Sequence, residues 1–384
     1  MIAEGIGLAV LAIWLVLIVG RDGFWLARER DDRNLSSSLL PVQSNWPDVT
    51  AVVPARDEAD VILRSIGSLI AQDYPGRFRI VLVDDSSSDG TGTMARALGS
   101  ERLEVLAGKP LPHGWTGKLW AMEQGIERGI ERAGSAPEWL WLTDADIAHA
   151  PDTLRSLVAR GEAQGLSLVS LMARLRCETL AERMLVPAFV FFFQMLYPFR
   201  RVNRPEGLGA AAGGCMLVRR TALERAGGIG AIRGALIDDC TLGALLKQQG
   251  PVWLGLTDRS VSIRPYNDFA SVAAMISRSA YAQLRYSPWV LAATLAGMLL
   301  VYGAPPLLAL FGQGVARWSG MAAWLAMALS FQPILRFYHR NPLWGLALPA
   351  IAAFYAGCTF LSAWQHARGC GGMWKGRAQA GVES

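Results

Sequence analysis

The sequence predicts an α/β protein: a doubly wound, mostly parallel sheet with helices on both faces, flanked by N-terminal and C-terminal transmembrane helices. Three observations carry this prediction. Short runs rich in β-branched residues alternate with helical patterns through the middle of the chain, acidic clusters follow several of those runs directly, and long apolar stretches occupy both ends. Strands alternating with helices imply a parallel sheet. Apolar stretches of about 20 residues imply bilayer spans.

The 384 residues allow one large domain plus a membrane part. The composition is 52% hydrophobic and 18% charged, against roughly 25% charged for soluble domains. The net charge of +5 is spread over ordinary arginine-bearing segments. No Lys/Arg block marks a nucleic-acid binder. Cys177, Cys215, Cys240, Cys358 and Cys370 are far apart and form no CxxC pair. That argues against a disulfide framework and a zinc site and suits reduced thiols in a cytoplasmic compartment.

Residues 6–20 are apolar, and residues 1–5 extend the run with only Glu4 charged. A signal peptide would need a basic n-region and an A-x-A-like site, and neither is evident. Arg21, Arg28, Arg30 and Arg33 follow, which places the chain after this helix in the cytoplasm. Residues 289–311, 318–335 and 343–364 form the C-terminal apolar runs. Pro305 and Pro306 interrupt the first, as in a re-entrant segment or broken hairpin. Arg368, Lys375 and Arg377 in the tail prefer the inside, so two or four spans in total suit the charges. Residues 185–199 are short for a span. They suit an interfacial helix with Arg200, Arg201 and Arg204 toward headgroups, or a buried core helix. The expected layout is an anchor at 1–22, an α/β domain at 45–270, an interfacial helix at 271–288, membrane segments at 289–365 and a cytoplasmic tail at 366–384.

Within the α/β domain, residues 50–53 read as a buried strand stopped by Pro54. Val61, Ile62, Ile66, Leu69 and Ile70 follow helical spacing. Residues 79–83 form a second strand, and Asp89 can cap a helix through Leu98. Residues 103–106 are a weaker third strand, Lys118 to about Arg132 a helix, and residues 139–142 a fourth strand. Pro151 suits the first turn of a helix, and residues 166–171 form a fifth strand.

The polar clusters fall at strand ends, where ligands bind in such sheets. Pro54, Ala55, Arg56, Asp57 and Glu58 follow the first strand. Asp84, Asp85 and a Ser/Gly-rich turn to Thr91 follow the second. Carboxylates there can accept hydrogen bonds from a base or ribose, although αβ turns favour the same residues. No G-x-G-x-x-G follows the first strand, which disfavours a dinucleotide fold. Asp144 and Asp146, at i and i+2 after the fourth strand, can converge on Mg2+ or Mn2+, which prefer oxygen ligands. Asp238 and Asp239 open a helix, either as capping acids or as a general base. Lys118 begins a helix near candidate phosphates, or is simply solvated. Gly213 and Gly214 can admit an acceptor to the backbone, or form a tight turn. Gln283, Arg285 and Tyr286 can shape an acceptor site at headgroup level, or serve as an interfacial anchor. His113 and His149 read as loop residues without partners and receive no role.

In that order, VVPARDE (52–58), VLVDDSSSDGT (81–91), GKLWAMEQG (117–125), LTDADI (142–147), GGCMLVRR (213–220) and DDCTLG (238–243) resemble family 2 glycosyltransferases of the GT-A fold over about residues 49–265. The N-terminal anchor, Gln283-Leu284-Arg285-Tyr286 and the terminal RGCGGMWKGR (368–377) are similar to the hopanoid-biosynthesis-associated glycosyltransferases of bacteria. Ceramide glucosyltransferases are a more distant likeness.

The resemblance implies that Pro54, Ala55, Arg56, Glu58 and Asp85 hold the nucleotide of a UDP-sugar, helped by Asp84. It implies Lys118 near the base or diphosphate, Asp144 facing the donor, Asp146 on a divalent metal and Asp239 as the base. Asp238 stands where Glu is more usual. Many membrane synthases of the family carry Q-x-x-R-W, and Tyr286 departs from it, which favours a single transfer over polymer synthesis. The expectation is an inverting enzyme of the bacterial inner membrane, multi-pass, with its catalytic domain cytoplasmic, moving a sugar to a membrane lipid. The alternatives are transfer to polyprenyl phosphate, or a nucleotide-sugar-binding membrane scaffold without turnover.

Overall fold

The computed structural model describes residues 1–31, 46–131, 136–374 and 377–378. Arg33, Arg132 and Lys375 lie outside the described residues. The chain divides into two compact units: one of residues 29–176, 201–265 and 373–384, the other of residues 1–28, 177–200 and 266–372.

The first unit is built on an eight-stranded sheet. Its strands are β1 (Val49–Ala55), β2 (Phe78–Asp84), β3 (Leu103–Ala107), β4 (Trp139–Leu142), β5 (Ile147–His149), β6 (Leu168–Arg174), β7 (Met216–Arg219) and β8 (Val252–Ser262), in the order β3-β2-β1-β4-β7-β6-β8-β5. The β3-β2-β1-β4 half is parallel. β7 runs antiparallel between β4 and β6, and β5 antiparallel to β8. The sheet is therefore mixed beyond β4.

All seven residues of β1 are buried, so its apolar run is continuous rather than alternating. Pro54 does not stop the strand. It pairs in register with Val83, and Ala55 with Asp84, because proline removes one donor and leaves its carbonyl and its neighbours to continue the ladder. Helix Ala59–Ile70 buries Val61, Ile62, Ser65, Ile66 and Leu69. Helix Thr91–Arg96 is capped by Gly90 in a left-handed conformation, not by Asp89. Asp89 instead accepts from the backbone of both Ala59 and Thr91, serving two helix starts at once. Trp139 and Trp141 fill the core beside Leu157, Val169 and Leu217.

In the second unit the apolar stretch starts earlier than the hydropathy suggests. Thr179 and Glu182 form a capping box that opens helix Leu180–Leu196. Buried Glu182 accepts from the backbone N–H groups of Glu178, Thr179 and Tyr266. The apolar stretch Leu180–Val202 is long enough to cross a membrane, which corrects the reading of 185–199 as short; Ile2–Gly20, Pro288–Phe311 and Pro342–Ala367 are the other helices that qualify. Pro305 and Pro306 do not break the chain into a hairpin. A π-helical stretch, Leu299–Gly303, runs straight into Ala304–Phe311; such a turn relieves the clash of a proline ring with the preceding carbonyls. Gly7 lies against Ser319, where a Cβ would sit 2.2 Å from Oγ, and the Trp14 indole donates to the Val301 carbonyl at 2.9 Å.

Two helical glycines separate propensity from packing. A Cβ on Gly125 would lie 2.5 Å from Val52 Cγ1, whereas one on Gly67 meets nothing within 4 Å. Gly67→Ala is expected to raise the thermal midpoint through a helix-propensity gain of about 1 kcal/mol. Gly125→Ala is expected to lower it, since overpacking costs ~1–3 kcal/mol. Thermal unfolding of the two variants in detergent checks both signs.

Candidate active site

The loops after β1 and β2 are locked to each other. Asp57 adopts a left-handed backbone with φ 50°. Its N–H donates to Ser87 Oγ at 3.0 Å, and its carboxylate accepts from Ser88 N at 2.7 Å. The Glu58 N–H donates to Thr91 Oγ1 at 2.8 Å. Arg56 Nη1 donates to the Asp85 carbonyl at 2.5 Å and lies 3.8 Å from the Asp85 carboxylate. Asp84 accepts from Ser87 N at 3.1 Å. A Cβ on Gly92 would sit 2.1 Å from the Asp84 carboxylate, so glycine is needed there. Pro54 and Ala55, the last two residues of β1, deliver Arg56 to this junction.

The turn after β4 presents Asp144 and Asp146. Thr143, just ahead of them, donates to the Gly214 carbonyl at 2.8 Å and lies 2.9 Å from His149 Nε2. His149 Nδ1 lies 2.9 Å from Ser260 Oγ. His149 is thus neither in a loop nor unpartnered. It ends β5, is buried beside Trp141, and burial pushes its pKa down to about 3. With Thr143 donating to the carbonyl, a neutral ring carrying its proton on Nε2 completes the chain, and Ser260 donates to Nδ1.

Lys118, in the first turn of helix Gly117–Glu131, reaches both acidic clusters. Its Nζ is 2.8 Å from Asp144 Oδ1 and 3.0 Å from Asp238 Oδ2. It is not solvated. Burial works against its charge, but the two carboxylates overrule it and hold the ammonium protonated. Asp238 Oδ2 is sealed from solvent and makes no hydrogen bond of good geometry among the described residues, so the ammonium meets it as a charge.

Asp239, beside it at the start of helix Asp238–Lys247, accepts from its neighbour Cys240 N at 2.7 Å and from Gly213 N at 3.0 Å. Burial pushes the Asp239 pKa up to about 6, with the Asp238 charge adding to the rise and Lys118 opposing it. Burial likewise raises Asp144, again opposed by Lys118. A Cβ on Gly213 would come 3.5 Å from both Lys118 Nζ and Asp239. The same position on Gly214 meets Ala173 and Ile147, so that glycine serves packing.

Arg264 was not legible in the sequence. It follows β8 by two residues, donating from Nε to Asp146 Oδ2 at 2.7 Å and from Nη2 to Glu58 at 2.5 and 2.6 Å. It stands between strand ends without any motif, and its partners are remote in the chain. Carboxylates outnumber Arg56, Lys118 and Arg264 in this cleft, so the site retains negative charge. Among the described residues no group of three His, Cys, Asp or Glu side chains gathers closely enough to enclose a metal ion. The donor set is hard oxygen, and Asp146 Oδ1 accepts no hydrogen bond among the described residues. These residues fit Mg2+ or Mn2+ only where the ligand brings further oxygens, as those ions commonly require.

Gln283, Arg285 and Tyr286 belong to the other unit. Gln283 exchanges a hydrogen bond with Tyr197 Oη. Arg285 and Tyr286 both have left-handed backbones, with φ 54° and 55°. The Tyr286 ring stacks on His366 with centroids 4.5 Å apart.

Residues 50–227 match the family described as Glycosyl transferase family 2. The succinoglycan biosynthesis protein ExoO of Rhizobium meliloti is 34% identical over 163 residues, 39% of this chain and 44% of that protein. An N-acetylglucosaminyltransferase of Mesorhizobium japonicum is 28% identical over 151 residues, 38% of this chain and 33% of that protein. The chain thus spans less than half the length of either relative. Among solved structures, the mannosyltransferase PcManGT from Pyrobaculum calidifontis in complex with GDP-Man and Mn2+ aligns with a TM-score of 0.54 at 19% identity, over 94% of this chain and 99% of that one. At that identity the likeness shows the fold.

Removing the Lys118 ammonium strands two carboxylates. Loss of one partner of a buried ion pair costs ~3–5 kcal/mol, and less is expected here because the Asp144 side chain is 33% exposed. Lys118→Met is expected to lower the thermal midpoint. Melting curves of the variant beside the wild type check the direction.

Proposed function

We propose that this chain is an inverting glycosyltransferase that moves a sugar from a nucleotide-sugar, a UDP-sugar by our reading, to a membrane lipid. The observation that carries the proposal is the Lys118 bridge. It joins the Asp144 turn to the Asp238–Asp239 helix start, so acids remote in sequence share one cleft at the carboxyl ends of the strands. The interlocked loops of Arg56–Glu58 and Asp84–Asp85 then form the nucleotide end, and Asp144 faces the donor. Asp239 takes the proton of an acceptor hydroxyl, and that oxygen attacks the anomeric carbon from the face opposite the leaving group. Asp238 pairs with Lys118 and keeps it in place. A divalent cation held by Asp146 would offset the charge of the leaving nucleoside diphosphate. Gly213 leaves room for an acceptor over Asp239.

The lipid acceptor is supported by the apolar helices and by the resemblance in the anchor, residues 283–286 and the tail. On the same resemblance the acceptor is a hopanoid or its polyol derivative, with Gln283, Arg285 and Tyr286 near its entry. Arg21, Arg28 and Arg30 after the first apolar helix support an inner-membrane, multi-pass protein whose catalytic unit is cytoplasmic, where nucleotide-sugars are available.

The test is transfer from labelled UDP-sugars, with GDP-Man in parallel, in membranes carrying Asp239→Asn or Asp146→Ala. Asp239→Asn is expected to lose 10²–10⁴-fold in rate, on the order of a general base's contribution. Full retained transfer in either variant would sink the assignment. Activity kept in Asp239→Asn alone, with a phosphate-linked product, would point to polyprenyl phosphate as acceptor.

The pH profile is a second test. The Asp239 pKa of about 6 means that the base is protonated below it and free above it. The wild-type rate should climb as pH rises through about 6, and the Asn variant should lack that limb.

A further inference from the structure

Arg264 makes the shared part of two sites at once. Each carboxylate oxygen of the proposed nucleotide residue Glu58 accepts from one guanidinium nitrogen, and the proposed metal residue Asp146 takes the bond from Nε. Neither acid is loose. Glu58 is 7% exposed and Asp146 16%, and both come from backbone fixed by the sheet. The backbone of Arg264 is fixed beside them as well. Ile263 N donates to the Asp146 carbonyl at 2.8 Å, and Ile147 pairs with Ser262 in the β5–β8 ladder. The long Arg264 side chain is the most exposed of the three, at 28%. A divalent cation on Asp146, even at the open Oδ1, would lie beside the guanidinium on Oδ2, and the two positive charges repel each other. Planar guanidinium also matches the oxygens of phosphate as well as those of carboxylate.

We propose that Arg264 is a displaceable internal counter-cation: it occupies Asp146 while the donor is absent and moves to the donor diphosphate when nucleotide and metal enter together. The proposal rests on the donor-site reading above and adds to it a coupling between two ligands. Metal alone must enter against the charge of Arg264, which then has only Glu58 to hold it. Metal with a nucleoside diphosphate supplies a new partner for the displaced charge. Binding of each ligand therefore favours the other, and by linkage the factor is the same in both directions. The sequence carries no sign of this, because an arginine before Pro265 reads as an ordinary strand end.

The experiment uses the full chain in detergent and measures bound Mn2+ from the loss of the free-ion electron paramagnetic resonance signal, with and without UDP. The wild type is expected to bind Mn2+ at least tenfold more tightly with UDP than without. Arg264→Gln is expected to bind Mn2+ alone at least tenfold more tightly than the wild type does, and to lose most of the UDP enhancement. If the Gln variant fails to fold, Arg264→Lys gives the same reading, since lysine keeps a charge but loses the fork: its affinity for Mn2+ alone should exceed that of the wild type. Equal Mn2+ affinity without UDP in wild type and a folded variant, with UDP binding intact, overturns the inference alone. A folded wild type that binds neither Mn2+ nor UDP, separately or together, overturns the donor-site reading and the inference with it.

Discussion

The ammonium of Lys118 is the interaction on which the cleft depends. A parallel sheet delivers its loops to one edge, and in this chain those loops are acidic. Brought together without compensation, the carboxylates of Asp144 and Asp238 would repel each other across a partly dehydrated space. One side chain between them removes both difficulties. It also fixes distance, because an ion pair near 3 Å leaves little slack between the turn after β4 and the helix beginning at Asp238. The cations Arg56 and Arg264 repeat the device around the loop after β1. Each spans two segments distant in sequence, so each is at once a counter-charge and a tie. The backbone locks between the Asp57 and Ser87–Thr91 loops then carry geometry that charge alone could not hold.

Much of this was visible in the sequence, and the visible part has a common cause. β1, β2 and β4 are buried on both faces, so they read as unbroken apolar runs, and the acids at their ends stand out because apolar residues precede them. In the half of the sheet beyond β4 only β6, read as a strand at residues 166–171, was visible. β5 has three residues and β7 four, too short for any period to emerge. β8 is long, but glycine, threonine and aspartate interrupt its apolar residues, and its role as a neighbour of both β6 and β5 is a tertiary fact.

The site divides in the same way. The carboxylates could be picked out, since a strand end is a local feature. Their partners could not, since pairing is settled by the fold: Arg264 is 206 residues from Glu58. His149 failed for another reason. In the sequence it is a polar residue after a turn, and only the sheet shows it inserted between Thr143 and Ser260. There its low pKa keeps it neutral, and neutrality is what allows one ring nitrogen to donate while the other accepts.

The same electrostatics separates the roles of two adjacent acids that sequence could not tell apart. Asp238 spends its charge on Lys118, and protonating it would break the bridge that organises the cleft. Asp239 is held differently. Two backbone N–H groups orient its carboxylate, and no cation is bonded to it directly among the described residues. Dehydration and the charge of Asp238 raise its pKa toward neutrality, while Lys118, one residue removed in influence, keeps the rise from going further. General-base strength is greatest when the pKa lies near the working pH. Asp238 therefore does its part by remaining charged, and that charge tunes its neighbour. A longer glutamate at position 238 would keep the sign of this influence while changing the reach to Lys118, so the shorter acid and the position of the lysine are one arrangement.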